Sequence, residues 1–161
     1  MCELLINIIG TIIGGLLLTL FLFVLNEFIF PKKNLTGEWE TKITIKDTGY
    51  NPFKNLVIEY KMHLIQKGYE LSGSGEKTKD IKPNGSETVF LRENRVNVEI
   101  DGYFERKYLG KSKIYLNIIE NGRKRKTRTT YILTLKNKKN LNGTFISTAA
   151  DSNGIVFMNK S

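Results

Sequence analysis

With one cysteine (Cys2) and one histidine (His63) in 161 residues, the chain has too few ligands for a zinc site built on those side chains. A lone Cys2 forms no disulfide within the chain, so nothing argues for an oxidising compartment, and no lipobox-like stretch precedes it. The same scarcity removes the usual catalytic sets. There is no Ser-His-Asp arrangement and no pair of carboxylates set in an apolar run, so the expectation is a non-enzyme with no metal and no resident cofactor. Basic residues are missing altogether before residue 31, and amphipathic helices of useful length are missing after it.

What is present before residue 31 is a rod. Leu4–Phe30 holds 27 residues with Glu27 as its one ionisable side chain. A helix of that length runs to about 40 Å against a hydrocarbon slab of about 30 Å, enough for one tilted crossing and too little for two. The n-region "MCE" lacks positive charge and no A-x-A-like site precedes Pro31, which argues against a cleaved signal peptide. Lys32 and Lys33 follow the span while Glu3 stands on its other side. The positive-inside rule then puts Met1 outside and the remainder in the cytoplasm, anchored in the inner membrane. Gly10-Thr-Ile-Ile-Gly14 places two glycines on one helical face, where two backbones can pack closely; glycine is also common in membrane helices, so self-association and plain composition both stand.

The division expected is a transmembrane helix over 1–30, a basic linker over 31–34 and one domain over 35–161. All 25 Lys and Arg lie after Phe30, with all but Glu3 and Glu27 of the 16 acids, so the polar part carries +11. That balance points to an anionic partner: nucleotide, nucleic acid or acidic lipid.

From Leu35 onward the apolar period is two. "GEWETKITI" sets Trp39, Thr41, Ile43 and Ile45 on one face. "NLVIEYKMHLI" does the same for Leu56, Ile58, Tyr60, Met62 and Leu64, and "RVNVEIDGYFERKY" for Val96, Val98, Ile100 and Phe104. Further strands are expected at 69–79, 87–92, 113–119, 127–136, 141–148 and 155–158, separated by Gly-containing turns such as Asn121-Gly122 and Asn153-Gly154. Eight to ten short antiparallel strands, polar on one side, form an up-and-down meander that removes its edges by closing. The fold class is therefore all-β, a barrel behind one transmembrane helix. His63 falls on the polar face, as an exposed strand residue. In "LSGSGE" (71–76) no helix follows the glycines, so they mark a barrel corner or a close backbone approach rather than a phosphate loop.

Gly37-Glu38-Trp39 resembles the G-x-W that opens the first strand of lipocalin-like barrels, whose Trp closes one barrel end. With the meander, the ending "LNGTFISTAADSNGIVFMNK" and the apolar anchor, the whole chain resembles the membrane-anchored β-barrel effectors of bacterial cyclic-nucleotide antiphage systems (CBASS), the CD-NTase-associated, β-strand-rich group. It departs from them in having one span where the family has two. The resemblance implies a barrel that binds a cyclic dinucleotide made by a partner nucleotide cyclase, and an apolar segment that then disrupts the inner membrane as a homo-oligomer. No nucleic acid polymer is implied. A role in which the nucleotide restrains the effector also remains open.

Such a ligand needs cations for two phosphates and flat side chains for two bases. The candidates are Tyr50 and Phe53 in the loop "DTGYNPF", Arg106 and Tyr108 in "YFERKY", and Arg128 and Tyr131 in "KTRTTYIL"; barrel packing is the other reading of each aromatic. If strands alternate up and down from Leu35, the second–third, fourth–fifth and sixth–seventh turns return to the membrane. That would set Lys67, Arg92, Arg95, Arg123, Lys124, Arg125 and Lys126 beside Lys32 and Lys33 as a lipid-facing basic base. The loop 47–54 and "KNKKN" (136–140) would lie at the far end. The alternative function is an anchored lipocalin-like binder of lipid or another apolar ligand, without toxicity.

Overall fold

The computed structural model describes residues 2–25, 34–91, 94–107, 110–122, 125–137 and 139–161. The chain divides into two compact units, Met1–Lys33 and Asn34–Ser161. In the first, helix α1 spans Cys2–Val24. Its stretch Ile6–Val24, 19 residues, is long and apolar enough to cross a bilayer, since it rises about 28 Å. Asn26–Lys33, with the inner end of the expected span and the linker lysines Lys32 and Lys33, lies outside the described residues.

The second unit contains strands β1 (Gly37–Asp47), β2 (Val57–Lys67), β3 (Glu70–Ile81), β4 (Glu87–Val89), β5 (Val96–Glu105), β6 (Lys113–Asn121), β7 (Lys126–Leu135), β8 (Asn140–Ser147) and β9 (Ser152–Lys160). Every pairing is antiparallel. β1 pairs with both β2 and β9, and β3 pairs with both β2 and β5, so eight strands close into a barrel. β4 pairs through Glu87–Val89 with the end of β3 and is a flap on the barrel wall.

Alternation in the sequence becomes inside and outside. Trp39, Thr41, Ile43 and Ile45 are buried, as are Tyr60, Met62 and Leu64 on β2 and Val96, Val98, Ile100 and Phe104 on β5. His63 faces outward, its Nδ1 2.6 Å from Glu38 Oε1 on the neighbouring strand. One barrel end, here termed proximal, is where the chain joins at Leu35. Leu35 and Trp39 plug it: both are 1% exposed, and the Trp39 indole N–H donates to Leu35 O at 2.8 Å. The "LSGSGE" glycines serve close approach. A Cβ on Gly75 would stand 2.5 Å from Lys61 O, and one on Gly73 would run into His63 O, so any side chain there would force the β2–β3 seam apart.

Strand parity differs from the expectation in one respect, and the flap β4 is the reason. Because β4 does not cross the barrel, every turn after it lies at the end opposite to the one that simple alternation assigns. The β2–β3 turn with Lys67 is proximal as expected, and the β1–β2 loop is distal as expected. The β6–β7 turn is distal, so Arg125 and Lys126 lie at the end away from Leu35, together with Arg95. The 136–140 turn is proximal, joined by the β5–β6 loop with Lys107 and Lys111. Arg92, Arg123 and Lys124 lie outside the described residues.

Candidate functional site

The barrel is packed solid at its proximal end and hollow at its distal mouth. A cavity of about 280 Å³ opens there, near the small end of the range for ligand pockets. One wall is apolar: Ile43 and Ile45 from β1, Phe53 and Leu56 from the β1–β2 loop, Ile58 from β2 and Phe145 from β8. Thr127, Thr129, Ser147 and Ser152 contribute hydroxyls from β7, β8 and β9. The Thr129 hydroxyl donates to Ser147 Oγ at 2.8 Å.

The third wall is charged. The Tyr60 hydroxyl donates to Glu120 Oε2 at 2.9 Å. β2 and β6 are separated in the wall by β3 and β5, so this bond runs across the lumen. On β3, Lys77 Nζ lies 2.8 Å from Asp80 Oδ2 and 4.6 Å from the centroid of the Phe90 ring. Phe90 directly follows β4 and is tied to the same strand by its N–H, which donates to Thr78 O at 3.0 Å.

Lys77 and Asp80 are three apart, a spacing that puts two residues of a regular strand on opposite faces. A bulge brings them together. Glu59 pairs with Lys79 and Tyr60 pairs with Lys77, so Thr78 is the extra residue, and the strand beyond it swaps faces. Asp80 Oδ1 is a buried oxygen with no hydrogen-bond partner among the described residues. Burial holds the Asp80 carboxyl above its usual range despite the opposing pull of Lys77. Burial likewise raises the Tyr60 and Tyr131 phenols, with the nearby Glu120 charge adding to both. Lys77 and Asp80 neutralise one another, Glu120 adds one negative charge, and Arg125 stands exposed at the lip.

The residues predicted from sequence fall in separate places. Phe53 lines the mouth, and Tyr50 packs on it edge to face at 4.9 Å on the exposed rim. Tyr131 is fully buried and packs against Phe145 of the cavity wall at 6.4 Å. Arg128 points outward from β7, so it is removed from the candidate site: it belongs to the opposite phase from Thr127 and Thr129. Arg106 follows β5 at the proximal end, across the barrel's length from Tyr50 and Phe53, and is removed from the mouth for that reason. Tyr108 lies outside the described residues. Gly10 and Gly14 sit within α1, and a Cβ at either would meet nothing within 4 Å.

Lys77, Asp80, Glu120 and Tyr60 are site residues that the sequence pattern does not single out, and Arg125 lies at the distal end where simple strand alternation puts it at the other. Two of them carry a signal. Glu120 continues the inward phase Ile114, Leu116, Ile118, and Lys77 continues Leu71, Gly73, Gly75. A charge on an otherwise apolar phase marks a lumen polar site. Asp80 carries no such signal, because its direction depends on the bulge.

No family model and no curated protein matches this chain. Among solved structures, the redesigned β-barrel mFAP1 bound to DFHBI superimposes with a TM-score of 0.50 at 12% identity, over 79% of this chain and 94% of the other. The redesigned barrels b11L5F_LGL (14% identity, 90% of that chain) and mFAP0 bound to DFHBI (13%, 98%) match over the same 79% at the same TM-score. At that identity the likeness carries the fold alone, a closed eight-stranded antiparallel barrel of lipocalin-like architecture; the apolar N-terminal helix is read from the chain's own structure.

Proposed function

We propose that the chain is a single-pass anchored sensor whose distal mouth receives a cyclic dinucleotide, and that it acts as the inner-membrane effector of a bacterial cyclic-nucleotide antiphage system. The observation that carries this reading is the polarity of the mouth. Hydrogen-bonding groups and flat apolar surface lie inside it, while the aromatic pair Tyr50–Phe53 and the cation Arg125 lie at its lip. A base fits the interior and a phosphate the lip, by stacking and charge. About 280 Å³ is too small to swallow a whole dinucleotide, so the ligand spans the mouth, one base in and the rest against the rim.

Output runs through association. A ligand exposed at the mouth can bridge or separate copies, and it shifts assembly only by binding one state better than another. The Gly10–Gly14 face of the helix then supplies close helix packing.

The test is calorimetric titration of the full-length chain in lipid nanodiscs with a panel of cyclic dinucleotides. Binding weakened about tenfold by Arg125→Ala, in line with a lost charge-assisted contact, and unchanged by Arg106→Ala, is the expected result. Silence across the panel removes the proposal. The apolar wall formed by Ile43, Ile45, Leu56 and Phe145 favours the second reading, a binder of an apolar ligand, which retention of a lipid on the silent protein would support.

A further inference from the structure

We infer that the base admitted to the cavity is guanine, an inference that rests on the reading of the mouth as a nucleotide site. The interior and the lip differ in sign. Inside, the Lys77 ammonium is matched by Asp80 at 2.8 Å and faces the Phe90 ring, so the Glu120 carboxylate leaves the interior one negative charge in excess. A phosphate is repelled from such a space, and a hydrogen-bond donor is drawn into it. Asp80 Oδ1, in the same wall, is buried without a partner among the described residues, which adds to the excess of acceptors.

The bases differ in what they present to acceptors of this kind. Guanine offers N1–H and the N2 amino group side by side, two donors in the spacing that one carboxylate accepts. Adenine and cytosine set their amino group beside a bare ring nitrogen, whose lone pair opposes a carboxylate. Uracil has a single N–H between two carbonyls. Guanine also carries O6 next to N1–H, an acceptor for an ammonium. Lys77 has three N–H donors, of which the Asp80 contact uses one. Carboxylate and ammonium in one wall thus match three neighbouring groups on one edge of guanine.

Full-length protein in nanodiscs titrated with cyclic di-GMP, cyclic di-AMP and cyclic di-UMP tests this. A good bidentate contact discriminates by about tenfold or more, so cyclic di-GMP is expected to bind at least about tenfold tighter than the other two. Glu120→Gln, which keeps the side chain's shape and replaces an acceptor by a donor, should abolish that preference. A smaller preference, a preference for another base, or a guanine preference that survives Glu120→Gln overturns the inference and leaves the nucleotide reading standing. If Glu120→Gln does not fold, the wild-type ranking alone decides. Absence of binding by all three ligands overturns both.

Discussion

Asp80 has a buried carboxylate oxygen without a hydrogen-bond partner among the described residues, and its chemistry sets a measurable trend. Burial penalises its charged form more than Lys77 rewards it, so its carboxyl releases the proton at higher pH in the folded barrel than in the unfolded chain. The folded state therefore binds that proton more tightly. The associated stabilisation is full below the ordinary carboxylate value, about 3.9, and is lost as pH rises through the raised one. Asp80→Asn holds the position neutral throughout. Urea unfolding of both proteins between about pH 3 and pH 7 should show the stability difference moving in the variant's favour as pH rises. A difference that stays flat would mean that the lysine cancels burial, and one that moves in the wild type's favour as pH rises would mean that it outweighs burial. Tyr60 and Tyr131 belong to the same polar layer, and their phenols stay un-ionised for the same reason.

Among the elements, β3 does the most to shape the site. Its first half lets strands approach through Gly73 and Gly75, and its second half bulges at Thr78 to turn Lys77 and Asp80 into the mouth. β4, pairing only through Glu87–Val89 with β3, leads into Phe90 over Lys77 and reverses which end each later turn occupies. Close approach along β3 is a backbone requirement. Gly75→Val puts a branched side chain against Lys61 O and Met62, and such overpacking should lower stability by about 1–3 kcal/mol, read as an earlier urea midpoint with an unchanged slope. An unaltered midpoint would show that the β2–β3 seam has room to spread. Legibility differs within this element. The glycines announce a tight seam, and Lys77 falls on the lumen phase by simple counting. The bulge is silent in the sequence, because an inserted residue at Thr78 looks like any other strand residue until its partner strand is known.

At the scale of the molecule, an apolar helix and a closed barrel are separate solutions to separate solvents. The barrel carries its own core, from Trp39 through Leu64, Ile114 and Leu133 to Met158, all 1% exposed or less, and its eight described wall strands close on one another. A fragment Asn34–Ser161 should therefore fold without detergent. Its thermal midpoint is expected within about 4 °C of the full-length chain's, the shift that about 1 kcal/mol makes in a domain of this size. A fragment that is unfolded, or soluble only with detergent, would contradict the independence of the two units.

Periodicity and length determined the helix, the strands and the closed meander, because inside–outside alternation and membrane-spanning apolarity are local properties of the chain. Composition likewise determined that cations outnumber acids after Phe30. Which end of the barrel each loop occupies, and which charges share the lumen, was decided only in three dimensions. Strand parity depends on whether a short segment crosses the barrel, and a bulge exchanges faces for every residue beyond it. Tyr60 meets Glu120 across the lumen at a separation of 60 residues, a distance along the chain over which no local pattern acts.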